Sequence, residues 1–168
     1  GEVVLTIPEG WTIADIQESL EEKELDPQKT FSPCAKDAQT CGINNYNGSL
    51  EGYLFPDTYF LDPTAFDAKS LIELLLETFT TKVQEELASE IAEQNQTLTD
   101  IIIMASIIEK EVRTDADRAI VAGILWKRLE NNWPLGADAT LLYTDDDGIL
   151  DAASLAEDNI SNKMNKPD

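Results

Sequence analysis

The chain has 168 residues, 42% of them apolar, so it can bury a sizeable core and disorder along its whole length is not expected. Its 33 acidic and 12 basic side chains give a net charge of −21, which repels phosphates and excludes nucleic acid as a partner. With no histidine and only two cysteines, no zinc site of Cys and His can form. We therefore expect no metal and no cofactor, and any catalysis must use carboxylates, hydroxyls, lysine or tyrosine.

The amino-terminal residues predict a strand followed by a helix. Residues 2–7 alternate and are rich in valine and leucine before a Pro-Glu-Gly turn, as in a short strand. Thr12 then stands at a helix N-cap, with Asp15 following as the second member of a capping box. Apolar residues recur at helical spacing, so an amphipathic helix should run from Ile13 to about Lys23.

Residues 30–47 have the composition of an irregular loop and contain both cysteines, Cys34 and Cys41. The two thiols are close enough in the sequence to close a small disulfide ring if the domain lies outside the cytoplasm. Two free thiols are the alternative.

A long amphipathic helix is predicted over residues 67–93. Its apolar residues recur at helical spacing with acidic residues and lysine between them, which is the pattern of a helix with one face in a core. The apolar stripe consists of Leu71, Leu75, Phe79, Val83, Leu87 and Ile91.

Residues 98–112 predict a helix buried at the centre of the fold. Thr97 followed by Asp100 is a second capping signal, and the run over residues 101–108 is apolar on every face. A further helix should follow over about residues 115–131 and stop at an Asn-Asn-Trp-Pro cluster. With the short strands, these helices predict an α+β fold that is rich in helix and arranged around the central helix.

Glu109 is the carboxylate that this pattern marks most clearly for chemistry. On an ideal helix it shares a face with Ala105, whereas Glu111 points about 200° further round. A carboxyl group held against apolar side chains loses solvation, which favours the protonated form that a general acid needs. The alternative is a solvated helix end, at which Glu109 pairs with Lys110 or Arg113.

Residues 51–59 place aromatic rings beside carboxylates and hydroxyls. This combination suits sugar binding, because a pyranose ring presents apolar C–H faces flanked by hydroxyl groups. An aromatic strand of the core, interrupted by Pro56, is the alternative. Further along, Gly136 and Ala137 precede Asp138, and such small residues either let the backbone approach a ligand or simply form a turn.

Four segments of the chain form a more specific pattern through their residues, their order and their spacing. They are Ile7-Pro8-Glu9-Gly10-Trp11-Thr12, Leu50 to Tyr59, Ala105-Ser106-Ile107-Ile108-Glu109-Lys110-Glu111, and Lys127 to Tyr143. Together they resemble the YceG-like family over about residues 3–143. Members of that family are endolytic murein transglycosylases, which cut nascent peptidoglycan within the strand, and the resemblance implies this activity without a cofactor.

The resemblance also implies roles for individual residues. In the family, the first Glu of the Glu-Lys-Glu triplet is catalytic, which implies that Glu109 is the catalytic residue. The family usually has a polar residue near Gly136 and a proline at the position of Ala139, so the cleft wall is expected to differ there. The positions that match the family's cleft pattern, and are therefore expected to bind substrate, are Glu51, Tyr59, Asp138, Thr140 and Tyr143.

A domain division and a location follow from the same resemblance. Residues 1–48 would form an N-terminal strand–helix subdomain and loop, and residues 49–168 a transglycosylase catalytic domain that is incomplete at its C-terminus. The expected location is the extracytoplasmic face of a bacterial membrane, reached through an anchoring segment outside this chain. Peptidoglycan strands and cell-wall synthases are the expected partners. A glycan-binding or scaffold module without catalysis is the alternative function.

Overall fold

The computed structural model describes residues 1–136, which belong to two compact units. The first unit comprises Gly1–Gln96, and the second begins at Thr97. The prediction of a helix-rich α+β fold is confirmed, because a pair of antiparallel strands accompanies a predominantly helical chain. The domain division after residue 48 stays a prediction, although the strands on its two sides pair with each other inside the first unit.

The first unit is built on a two-stranded sheet and its helices. Its elements are β1 (Val3–Thr6), α1 (Ile13–Glu22), α2 (Phe31–Lys36), a 3-10 helix (Ala38–Cys41), β2 (Thr58–Leu61), α3 (Ala68–Phe79), a π-helical segment (Thr80–Glu85) and α4 (Ala88–Glu93). Strands β1 and β2 are antiparallel, with Val3 opposite Leu61. As the sequence predicts, α1 begins after the capping box formed by Thr12 and Asp15.

The core of this unit draws side chains from both strands and from α1, α2 and α3. The helices bury residues three or four positions apart, which is the spacing of one helical face. Burial of one such large apolar side chain stabilises the fold by about 1.5–3 kcal/mol relative to exposure. The most deeply buried include Leu5, Ile16, Leu20, Phe31, Ile72, Leu75 and Phe79.

A disulfide joins Cys34 of α2 to Cys41 at the end of the 3-10 helix, which decides between the two alternatives for the cysteines. Gly42 follows with a φ of 72° and ends the 3-10 turn in the left-handed conformation that glycine adopts without strain. The chain then returns to α2, where the N–H of Leu50 donates a 2.8 Å hydrogen bond to the carbonyl of Ala35. The loop closed by the disulfide therefore lies at the edge of the core of the first unit.

The long helix predicted over residues 67–93 is interrupted: α3 ends at Phe79, and α-helix resumes only in α4 (Ala88–Glu93). The prediction of one continuous helix is therefore wrong. The next segment, Thr80–Glu85, is π-helical, and three of its six residues are β-branched, which lowers their preference for the α-helix. The buried stripe stops at the same place. Val83 is only half-buried and Leu87 is 45% exposed.

The second unit is described as far as residue 136 and contains α5 (Leu98–Glu111) and α6 (Asp115–Glu130). Helix α5 begins at the predicted capping box of Thr97 and Asp100. The two helices pack through a small apolar core formed by Ile103, Met104 and Ile107 of α5 with Leu125 and Leu129 of α6.

Only one face of α5 is buried, whereas the sequence predicts burial all round. Ile103 and Ile107 lie one turn apart on the buried face, but Ala105 is exposed and Ile102 is half-buried. Apolar residues on every side of a helix therefore do not require burial on every side, since single apolar side chains are common at protein surfaces.

Candidate active site

Glu109 lies in the last turn of α5, where its carboxylate meets an arginine of the next helix. Oε2 of Glu109 and Nη2 of Arg118 are 3.1 Å apart, and the two side chains are 32% and 33% exposed. A contact between an ionised donor and an ionised acceptor is stronger than a neutral hydrogen bond. The carboxylate is therefore accessible to a ligand while it is held by a charged partner.

Arg118 also contacts the start of its own helix. Its Nη1 donates to Oδ1 of Asp115 at 3.2 Å. The helix start is itself fixed, because the Thr114 side chain accepts a hydrogen bond from the N–H of Asp117. The Nε of Arg118 is buried without a hydrogen-bond partner among residues 1–136. One guanidinium thus connects the end of α5 with the first turn of α6.

These surroundings of Glu109 differ from both alternatives that the sequence offers. Apolar neighbours are predicted on its face, yet Ala105, one turn earlier, is exposed. The predicted cationic partners are Lys110 or Arg113, but the ion pair of Glu109 is with Arg118. The reason is geometric: only residues 112–114 separate the two helices, so the first turn of α6 returns to the end of α5.

Arg118 is a residue that the sequence reasoning missed. A signal was present, because Thr114 followed by Asp117 has the spacing of a helix N-cap. That signal places Arg118 in the first turn of α6, beside a short connection to the helix that carries Glu109. The ion pair itself depends on how α6 folds back against α5, which the capping signal does not specify.

Glu51 lies in the loop before β2 and contacts the start of α1. Its Oε2 accepts a hydrogen bond from the N–H of Ile13 at 3.1 Å, and its own N–H lies 3.2 Å from Oγ of Ser49. Glu51 is half-buried, and the next residue, Gly52, has a φ of 83° that allows the chain to turn. The carboxylate therefore acts as a helix cap in this structure.

Tyr59 is a core residue of the first unit. It is 6% exposed, and its hydroxyl donates a 2.7 Å hydrogen bond to the carbonyl of Phe55. Burial raises the pKa of Tyr59 above its ordinary value of 10.0, a rise that a hydrogen bond with Thr78 partly offsets and the nearby Asp57 carboxylate reinforces. The aromatic-core alternative for residues 51–59 thus describes Tyr59, and its predicted role in substrate binding stays a prediction.

The other three residues expected to bind substrate, Asp138, Thr140 and Tyr143, lie outside the described residues. The turn that leads to them is described. Nη1 of Arg128 donates to the carbonyls of residues 134 and 135 at 3.0 and 3.2 Å, and Gly136 follows with a φ of 64°. Gly136 therefore adopts the left-handed conformation that glycine takes without strain.

The part of the chain described, residues 1–136, contains no group of three or more His, Cys, Asp or Glu side chains placed to hold a metal ion. Within the same range, no helix combines the length and the apolar character needed to cross a membrane.

Comparison with known proteins assigns the chain to a family. A family model of YceG-like proteins matches residues 1–166. The chain belongs to the YceG-like family. The matched range includes Glu109, its partner Arg118 and every residue that the resemblance assigns to substrate binding.

Two curated relatives of this YceG-like chain are named endolytic murein transglycosylase. The protein from Streptococcus pneumoniae is 27% identical over 179 residues, which cover 92% of this chain and 31% of the relative. The protein from Bacillus subtilis is 36% identical over 100 residues, which cover 59% of this chain and 27% of the relative. The chain thus spans about a third of the length of the curated relatives it matches.

A crystal structure of a YceG-like protein from Listeria monocytogenes resembles the chain in fold. The TM-score is 0.71 at 25% sequence identity, and the likeness covers 85% of this chain and 52% of that chain. The structural neighbour therefore agrees with the family assignment and with the α+β fold.

Proposed function

We propose that this YceG-like chain carries the catalytic region of an endolytic peptidoglycan transglycosylase, with Glu109 as its catalytic residue. Both curated relatives described above bear the name of that activity. The observation that carries the proposal is the placement of Glu109. One of the two segments most distinctive of the family ends α5, and the carboxylate there is partly exposed and held by a charged partner.

In the proposed reaction, Glu109 protonates the oxygen that links MurNAc to GlcNAc, and the bond between this oxygen and the muramyl C1 breaks. The resulting carboxylate accepts the proton of the muramyl C6 hydroxyl, whose oxygen bonds to C1. The products are a free GlcNAc hydroxyl and a 1,6-anhydroMurNAc end, and Glu109 is protonated again. No water is consumed, and the second carboxylate of ordinary glycosidases is not needed, because the substrate supplies the nucleophile.

The proposed substrate-binding residues fall into two groups. Asp138, Thr140 and Tyr143 are proposed to contact the sugar rings on the basis of the family pattern. Glu51 and Tyr59 remain in the set, but the contact of Glu51 with α1 and the burial of Tyr59 support a role in fixing the backbone of the first unit.

The proposed location is the extracytoplasmic face of the bacterial cell membrane. The disulfide between Cys34 and Cys41 supports it, since such bonds persist in oxidising compartments and are rare in the cytosol. Anchoring would come from a segment outside this chain. Nascent glycan strands are the proposed substrate, and cell-wall synthases, which act on the same strands, are the proposed partners.

The test compares Glu109→Gln with Glu111→Gln, which remove one carboxylate each from the same helix end with little change in volume. Each variant is incubated with purified glycan strands, as the 168-residue chain and within the longer protein, and 1,6-anhydroMurNAc ends are quantified by mass spectrometry. We expect wild type and Glu111→Gln to cleave and Glu109→Gln to lose about 100-fold or more in rate.

Three outcomes would contradict the proposal in different ways. Full activity of Glu109→Gln with loss in Glu111→Gln would move the catalytic role within the triplet. Reducing ends in place of anhydro ends would show hydrolysis of the same bond. Binding of strands without any cleavage by the longer wild-type protein would favour a scaffold module.

A further inference from the structure

We propose that Arg118 is the positioning residue for Glu109, a role that rests on the catalytic function proposed above. Nη2 of Arg118 lies 3.1 Å from Oε2 of Glu109, and Nη1 lies 3.2 Å from Oδ1 of Asp115. The guanidinium therefore holds one oxygen of the carboxylate. The second oxygen is the one proposed to face the glycosidic oxygen.

An arginine suits this task better than a lysine would. Its guanidinium is planar, stays charged, and presents its N–H groups in a fixed fork, so two acceptors can be held in a defined geometry. In Arg118 the two terminal nitrogens engage two different carboxylates while Nε is buried. The side chain is consequently held at its two terminal nitrogens, and this restraint is transmitted to Glu109.

The fixed positive charge also acts on the proton cycle. Once the proton has passed to the leaving oxygen, the guanidinium stabilises the carboxylate that remains and keeps it oriented for the C6 hydroxyl. The other charged groups on the helix ends around Glu109 are Lys110, Glu111, Arg113, Asp115 and Asp117.

A purely structural clamp between α5 and α6 would use the same contacts. However, both partners of the ion pair are about one third exposed, and Asp115 is 96% exposed. Ion pairs that are screened by solvent contribute little to stability. The network is therefore poorly suited to holding the helices together and better suited to orienting one side chain.

The experiment measures kcat, KM and their pH dependence on purified glycan strands for Arg118→Met, Arg118→Lys and the control Arg113→Met. Arg113 is a matched control because it is exposed and has no ion pair within the described part of the chain. We expect kcat of Arg118→Met to fall on the order of 100-fold, the loss caused by a misplacement of about 1 Å, with little change in KM. Its pH profile should differ from that of wild type. Arg118→Lys should recover part of kcat, and Arg113→Met should resemble wild type.

The results separate this proposal from the proposed function. If wild type yields no anhydro ends, the function fails and the positioning role fails with it. If wild type cleaves and Arg118→Met retains kcat and the pH profile, only the positioning role is wrong, and lower stability alone would identify a clamp. Should Arg118→Met fail to fold, Arg118→Lys decides: a reduced kcat with an altered pH profile supports the proposal, and wild-type behaviour overturns it.

Discussion

The carboxylate of Glu51 accepts a 3.1 Å hydrogen bond from the backbone N–H of Ile13, a residue 38 positions earlier in the sequence. Ile13 is the first residue of α1, so its N–H is one of the four that have no acceptor within the helix. A negative charge at this end also interacts favourably with the helix dipole. Glu51 therefore ties the loop before β2 to α1, in addition to any role toward substrate.

The Glu51 contact predicts a stability change that is independent of catalysis. Glu51→Ala removes the cap and should lower the free energy of unfolding by about 1 kcal/mol, while Glu51→Gln keeps an oxygen acceptor and should cost less. Urea unfolding followed by circular dichroism measures both, with exposed Glu9→Ala as the control. A Glu51→Ala variant that is as stable as wild type but inactive would assign the carboxylate to substrate binding instead.

Asp26 predicts a pH-dependent contribution to stability. Asp26 is 2% exposed, and its carboxylate accepts hydrogen bonds from the N–H groups of Thr30 at 2.9 Å and Phe31 at 2.8 Å. Burial by itself raises the pKa of Asp26, but the hydrogen bonds from Thr30, Phe31 and Gln17 outweigh burial and lower it below the ordinary 3.8. A lowered folded pKa means that the stabilisation is present above the unfolded value and is lost as pH falls through the folded value.

Asp26→Asn is the variant that tests this contribution. It replaces one carboxylate oxygen by a donor facing other donors, and should cost about 2–3 kcal/mol at pH 7. The difference from wild type should shrink as pH drops below 3.8, which denaturant midpoints across that range will show. Asp62→Asn is the matched control, because Asp62 accepts hydrogen bonds from Thr64 but is exposed, so the change should be smaller. A pH-independent difference for Asp26→Asn would contradict the prediction.

Reduction of the disulfide should destabilise the first unit. Closing the ring between Cys34 and Cys41 restricts the unfolded chain, which is worth roughly 2–3 kcal/mol in the chain-entropy model. We expect the reduced protein to unfold at a lower temperature than the oxidised protein. The Cys34→Ala/Cys41→Ala double variant should show the same decrease. The unreduced protein should resist alkylation and weigh two hydrogens less than the dithiol. Alkylation of both thiols in folded, oxidised protein would show that the bond does not form.

Two capping boxes show what the sequence could predict. Thr12 with Asp15 and Thr97 with Asp100 each begin a helix where predicted, because the interaction joins residues within a single turn. The end of α3 at Phe79 was not predictable from periodicity, since the apolar spacing continues beyond it. There three of the six residues of the next segment are β-branched, which lowers their preference for the α-helix.

The contacts of Glu109 and of Glu51 lie beyond such local signals. The sequence could place Glu109 at a helix end, but its partner Arg118 depends on how α6 folds back. The contact between Glu51 and Ile13 likewise depends on a return of the chain over 38 positions. Periodicity specifies which face of a helix is apolar. It does not specify which polar side chain of another element contacts that helix.

Two glycines of the second unit make opposite predictions for the same substitution. Gly136 has a φ of 64°, and a Cβ atom there would lie 3.0 Å from Nη1 of Arg128, the atom that donates to the carbonyls of residues 134 and 135. Gly136→Ala should therefore lower the free energy of unfolding by about 1–2 kcal/mol, through left-handed strain and displacement of the guanidinium.

Gly123 lies inside α6, is exposed, and would place a Cβ atom with nothing within 4 Å. Gly123→Ala should therefore stabilise the protein by about 0.5–1 kcal/mol, because alanine loses less backbone freedom than glycine on entering a helix. Denaturant unfolding of both variants under the same conditions measures the two effects. Equal shifts of the same sign would contradict the assignment. If the turn after α6 requires the left-handed conformation, alanine must destabilise the protein at Gly136 and stabilise it at Gly123.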